Sequence, residues 1–119
     1  MPVKKAAVAA LVCACFVFGL SPVAFAHARL VSSTPAAGGM AHGPSVAIML
    51  KFDSRVDGAR SHLALMMPNK NIKPLKIISD GASELDAHAT LSPGKYTIRW
   101  QALSVDGHIT RGEIPFVVR

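Results

Sequence analysis

Two short stretches of this sequence carry residues able to hold a metal ion. The first is His27, which follows Ala24-Phe25-Ala26. That tripeptide has the small-x-small form cut by signal peptidase, so His27 is expected to become the first residue of an exported chain. An N-terminal histidine offers the α-amine and the ring Nδ1 at a spacing that chelates one ion, which no internal histidine can do. The α-amine has an ordinary pKa of about 7.7–8.0, so a metal can displace its proton at neutral pH. The second stretch is Ser104-Val105-Asp106-Gly107-His108. Asp106 and His108 are two apart, which lets both project to one side of an extended segment. Gly107 permits an unusual backbone angle and keeps a side chain out of the way. Each stretch alone has a bland reading: a residue left where the peptidase happened to cut, and a solvated Asp-Gly turn.

Combined, the two stretches supply an amine, two imidazoles and a carboxylate. That nitrogen and oxygen set suits tetragonal Cu(II). Zinc accepts the same donors but prefers a tetrahedron, and the affinity order favours copper where both are available. Cu(I) would call for methionine or cysteine sulfur.

The elements that must position these donors begin after a leader. Lys4 and Lys5 give a basic start, and Ala6 to Leu20 is an apolar run that ends before Ser21-Pro22. The run falls short of the ~20 apolar residues a bilayer needs, so residues 1–26 read as a cleaved signal peptide with no membrane insertion afterwards. The sequence after Cys15 stays apolar where a lipid tether would be polar. Residues 27–119 remain as one domain with one modest core. Both cysteines, Cys13 and Cys15, leave with the leader, so neither a disulfide nor a thiolate ligand is expected. Of 13 Lys and Arg, two lie in the leader; against 7 Asp and Glu this leaves +4, scattered without a cluster. Nucleic-acid binding, which wants a concentrated basic stripe, is not expected.

Val46 to Phe52 puts Val46, Ile48, Leu50 and Phe52 on one face, the period-two pattern of a half-buried strand. Lys95 to Gln101 does the same with Tyr96, Ile98 and Trp100 inward, which assigns that Trp and Tyr to the core. Shorter strands are expected at Arg29 to Ser32, His62 to Met66, Lys73 to Ile78, Ala87 to Thr90 and Glu113 to Val118. Gly, Pro, Asn and Asp punctuate the gaps, from Pro35 to Gly39 through to Asp106-Gly107. About seven short strands and no 3.6-residue stripe predict an all-β fold, an antiparallel Greek-key sandwich or barrel of the immunoglobulin-like or cupredoxin-like kind. Met49, Met66 and Met67 read as core filler. Met66 and Met67, adjacent in a strand, are expected on opposite faces, so no Cu(I) site is predicted. His42 and His88 read as solvated surface groups.

His27 to Ala36, Val46 to Phe52, Gly94 to Trp100, Ser104 to His108 and Gly112 to Val118 resemble the CopC copper-resistance family over essentially the whole of residues 27–119. The resemblance implies a seven-stranded Greek-key β-barrel in the periplasm of Gram-negative bacteria. It implies Cu(II) bound through the mature N-terminal histidine and the Asp-x-His segment, here His27 (amine and ring), Asp106 and His108. It also implies an inner-membrane copper transporter of the CopD kind as partner. Some family members carry a glutamate two residues after the phenylalanine matching Phe52; Ser54 stands there, with Asp53 beside it. Some carry a methionine-rich loop for Cu(I), where this chain has only Met66 and Met67.

The expected function is therefore copper binding for resistance and homeostasis, without catalysis. The alternative is an oxidative copper enzyme, because an N-terminal histidine with a second histidine also describes the centre of polysaccharide monooxygenases. A domain this short, with its Trp and Tyr read as core, lacks the broad aromatic face such substrates need. A metal-free adhesion or chaperone-like sandwich is a third reading. Serine or cysteine hydrolase chemistry is excluded by the absence of a Gly-x-Ser-x-Gly motif and of any cysteine after the leader.

Overall fold

Alternation of apolar and polar residues leaves each strand one face to hide, and two sheets facing each other hide both. The computed structural model describes residues 27–78 and 81–119; the leader expected at 1–26 lies outside them. Among the described residues eight strands form: β1 (Leu30–Thr34), β2 (Gly39–Ala41), β3 (Ser45–Phe52), β4 (His62–Met66), β5 (Ile72–Leu75), β6 (Glu84–Thr90), β7 (Gly94–Leu103) and β8 (Ile109–Val118). They build a three-stranded sheet in the order β1-β3-β6 and a five-stranded sheet in the order β2-β8-β7-β4-β5. All pairs are antiparallel except β2 with β8. Among the described residues there is no helix, hence none long and apolar enough to cross a membrane.

The expected inward faces hold. Val46, Ile48, Leu50 and Phe52 of β3 and Tyr96, Ile98 and Trp100 of β7 are buried, against Leu65 of β4, Leu85 of β6 and Ile114, Phe116 and Val118 of β8. Tyr96 stacks on Phe116 at 5.7 Å, and its hydroxyl donates to the carbonyl of Ser92 at 2.7 Å. This hydrogen bond, back to the chain a few residues upstream, ties the corner leading into β7, as tyrosine corners do in Greek-key sandwiches. At the far end of β7, Trp100 meets Phe52 edge-to-face at 5.3 Å. Its cross-strand neighbour is Gly112, and a Cβ there would lie 2.6 Å from the indole. The missing side chain is what admits the ring.

Two differences from the sequence reading emerge. An eighth strand, β2, occupies a stretch read as breakers. It pairs in parallel with the edge of β8, Gly39 opposite Phe116 and Ala41 opposite Val118. Three residues are too few to show a period, so the pairing comes from the exposed edge of β8. Met49 and Met66 are only half-buried and stand apart from the core cluster, which Met67 alone of the three joins. Met66 and Met67 both border a groove with Pro68, Tyr96 and Phe116, while only Met67 packs against the core, as alternation from Leu63 and Leu65 dictates.

Candidate metal centre

The connection from β7 to β8, residues 104–108, is closed by main-chain bonds from Ser104 N–H to the carbonyl of His108 at 2.8 Å and from Gly107 N–H to the carbonyl of Ser104 at 2.9 Å. Gly107 has φ +93°, in the left-handed region that glycine enters without steric cost. Asp106 and His108 thus sit on a tight turn directly beyond the end of β7. The result brings them closer: Nδ1 of His108 lies 3.2 Å from Oδ1 of Asp106.

Ser104, buried to 2% exposure, organises this turn. Its hydroxyl donates to Oδ1 of Asp106 and accepts from the His108 N–H at 3.1 Å. The Ser104 hydroxyl, and then the neighbouring His108, hold the Asp106 carboxyl below its usual range. A carboxylate already ionised needs to lose no proton to meet a cation.

The loop from β3 to β4 supports the turn from beneath. Val56 bridges Ser104, the Val105 N–H donates to the carbonyl of Arg55 at 3.2 Å, and the Asp57 N–H donates to that of Leu103 at 2.8 Å. Ser61, buried to 4%, accepts the Leu103 N–H at 3.0 Å. The N-terminal arm, residues 27–29, comes to the same end of the sandwich because β1 enters it there, with Leu30 opposite Phe52. The side chain of Ala28 is fully buried. The ring of His27 then lies edge-on to that of His108, 4.5 Å between centres and 84° between planes.

Those separations are the ones adjacent ligands adopt. Two donors bonded at about 2.0–2.2 Å to one ion, at right angles, lie about 3 Å apart, and two imidazoles so placed have centres about 4.5 Å apart. Among the described residues no three His, Cys, Asp or Glu side chains already surround a common point. His108 and Asp106 are 41% and 39% exposed, so their side chains have room to turn toward one. In this chain the α-nitrogen of His27 is still joined to Ala26, so the amine donor exists only after cleavage.

The other histidines lie elsewhere. His42 is exposed in the loop after β2, His62 opens β4 on the outer face of the larger sheet, and His88 on β6 contacts the Ser45 hydroxyl at 2.8 Å. Sequence reasoning gave Ser104 no role, although it stands in the pentapeptide. It passed over Thr110 as well, a polar residue near the start of β8.

A family model described as the CopC domain matches residues 30–119, starting three residues after His27. Protein YobA of Escherichia coli K12 is 35% identical over 105 residues, covering 84% of this chain and 85% of that protein. Copper resistance protein C of Xanthomonas campestris pv. juglandis is 30% identical over 109 residues, covering 83% of this chain and 85% of its own length. Among solved structures, CopC from Methylosinus trichosporium OB3b superposes with a TM-score of 0.69 at 27% identity, covering 77% of this chain and 93% of that one. PcoC, a methionine rich copper resistance protein from Escherichia coli, does so with a TM-score of 0.66 at 25% identity, covering 79% and 100%.

Proposed function

Because the chain belongs to the CopC family, we propose that it is a periplasmic copper-binding protein that holds Cu(II) between its mature N-terminus and the Asp106-Gly107-His108 turn. The observation that carries the reading is the contact of His27 with His108, two imidazoles from opposite ends of the sequence beside one ionised carboxylate. Once the leader is removed, the His27 amine and ring chelate one edge of the ion. His108 and Asp106 supply the other two positions, completing the four-cornered arrangement that Cu(II) prefers.

Copper is cargo in this reading. The donors are partly exposed at one end of a rigid sandwich, so the ion can be taken up from, or passed to, a partner without unfolding, and an inner-membrane transporter of the CopD kind is the partner proposed. No catalytic step is needed. Tyr96 and Trp100 are both buried, so no observation favours the oxidative enzyme over the carrier.

Protein exported and processed to begin at His27 is expected to bind Cu(II) at sub-micromolar or tighter affinity against a competing chelator. One extra residue ahead of His27 blocks the amine and is expected to weaken binding by more than ~100-fold, beyond the ~10–100-fold of an outer-shell change. Equal affinity with and without that residue would sink the reading.

A further inference from the structure

His27 reaches His108 through only two residues, and each is tied down. The carbonyl of Ala28 accepts a hydrogen bond from Oγ1 of Thr110 at 2.8 Å, beside the fully buried Ala28 methyl. The N–H of Arg29 donates to Oδ1 of Asp53 at 2.8 Å, and the carbonyl of Arg29 accepts from the N–H of Asp53 at 3.0 Å. Asp53 therefore grips Arg29 from both sides, with its main chain and its carboxylate. Thr110 and Asp53 come from different sheets, on β8 and just after β3, so the arm is held across the seam between them.

We propose that Asp53 and Thr110 are positioning residues, which fix the arm 27–29 and hold the His27 donors against the Asp106–His108 turn, and that Asp53 is not itself a metal ligand. This rests on the copper reading above. A chain end samples many backbone states, and ordering each residue cuts them by roughly tenfold. An arm ordered before the ion arrives spares binding that loss, which is how preorganisation raises affinity. The bond from the Arg29 N–H commits one oxygen of the Asp53 carboxylate to the arm itself. The adjacent position, Ser54, offers only a hydroxyl, buried and without a hydrogen-bond partner among the described residues. The arm is thus held by hydrogen bonds to protein groups.

The two roles for Asp53 separate by substitution. Asp53→Asn keeps an acceptor oxygen but removes the negative charge, whereas Asp53→Ala removes the acceptor. Thr110→Ser keeps the hydroxyl, and Thr110→Val replaces it by a methyl of similar shape. The four variants and His108→Ala are compared with the parent protein, each processed to begin at His27 and checked by mass spectrometry. Cu(II) affinity is read by competition, the donor set by electron paramagnetic resonance, and the metal-free arm by the nuclear Overhauser effect between the His27 and His108 rings.

Asp53→Ala and Thr110→Val are each expected to weaken Cu(II) binding by ~10-fold, the scale of an outer-shell loss. Both should lose ring-to-ring signal in the metal-free protein, with the copper spectrum unchanged. Asp53→Asn and Thr110→Ser should stay near the parent in all three readouts. If Asp53→Asn loses as much affinity as Asp53→Ala and alters the copper spectrum, the carboxylate is a ligand and the proposal is wrong. Parent-like ring contact in both Asp53→Ala and Thr110→Val also overturns it. Parent-like copper binding by His108→Ala would instead sink the copper reading, and with it the claim that the arm serves a metal, while the ring-contact measurement still decides whether Asp53 and Thr110 hold the arm.

Discussion

The chain contains the spacing Asp-x-His twice, as Asp86-Ala87-His88 and as Asp106-Gly107-His108, and folding gives the two opposite characters. The first lies along β6, where Ala87 is buried and the flanking side chains stand on the outer face of the smaller sheet. Same-face residues of a strand are roughly 7 Å apart, too far for close contact between short side chains. His88 turns to the Ser45 hydroxyl. Burial, and then the neighbouring Glu84, push the Asp86 carboxyl up. The second lies on a turn, where glycine folds the chain until carboxylate and imidazole are 3.2 Å apart, and a hydroxyl holds the carboxyl below its usual range. His27 arrives only at the second. Spacing alone therefore does not bring these side chains together; a turn and a third residue from elsewhere in the chain do.

The largest expected difference between the two is in copper binding. His108→Ala should weaken Cu(II) by more than ~100-fold, because the proposed site would lose a direct donor and not merely an outer-shell partner. His88→Ala should leave the affinity within about twofold, and comparable losses from both would erase the distinction. Competition titrations on the two variants decide it.

The hydroxyl partners come next. Ser104→Ala takes from the His108 N–H the buried hydroxyl that accepts its hydrogen bond and is expected to cost about 1–3 kcal/mol of folding free energy, with weaker copper binding. Ser45→Ala, at an exposed contact, should change stability by less than about 0.5 kcal/mol. Denaturant titration measures both, and equal effects would mean that Ser104 has no special part in the turn.

The middle residues follow. Gly107→Ala puts a side chain at φ +93° with open space around it, so its cost should be that of the left-handed backbone alone, about 1–2 kcal/mol. Ala87→Gly is expected to cost about 0.5–1 kcal/mol from backbone freedom, together with the lost burial of one methyl.

The smallest effects separate the carboxylates by sign. Asp106 has a folded value below 3.8, so its contribution to stability is present above the unfolded value and disappears as pH falls through the lowered one. Asp106→Asn should therefore lower the melting temperature at neutral pH, a loss that shrinks toward strong acid. Asp86 has a folded value above 3.8, so its favourable contribution exists below the unfolded value and is lost as pH rises through the raised one. Asp86→Asn should raise the melting temperature at neutral pH, and the gain should vanish in acid. Melting curves of both variants from neutral to acidic pH test the opposite trends.

Much of the fold is legible in the residues. The inward faces of β3 and β7 follow from period two, and the expected positions of seven strands each overlap a strand that forms. Boundaries were less legible: β8 runs back to Ile109 and β6 to Glu84, beyond the most apolar residues, because pairing with β7 and β3 continues there. The strand Gly39–Ala41 has no pattern of its own.

The sequence by itself determined which donors the chain owns and that Asp106 and His108 travel as a unit, because side-chain chemistry and near neighbours along a chain are local properties. It also determined that the barrel-like sandwich would bury Tyr96 and Trp100. Only the tertiary structure decided which Asp-x-His faces His27, that Ser104 supports it, and that Asp53 and Thr110 hold the arm. Those contacts join segments far apart in sequence. They exist because the burial of Ala28 and the hydrogen bonds between β1, β3, β7 and β8 bring three loops to one end, and no local pattern records that meeting.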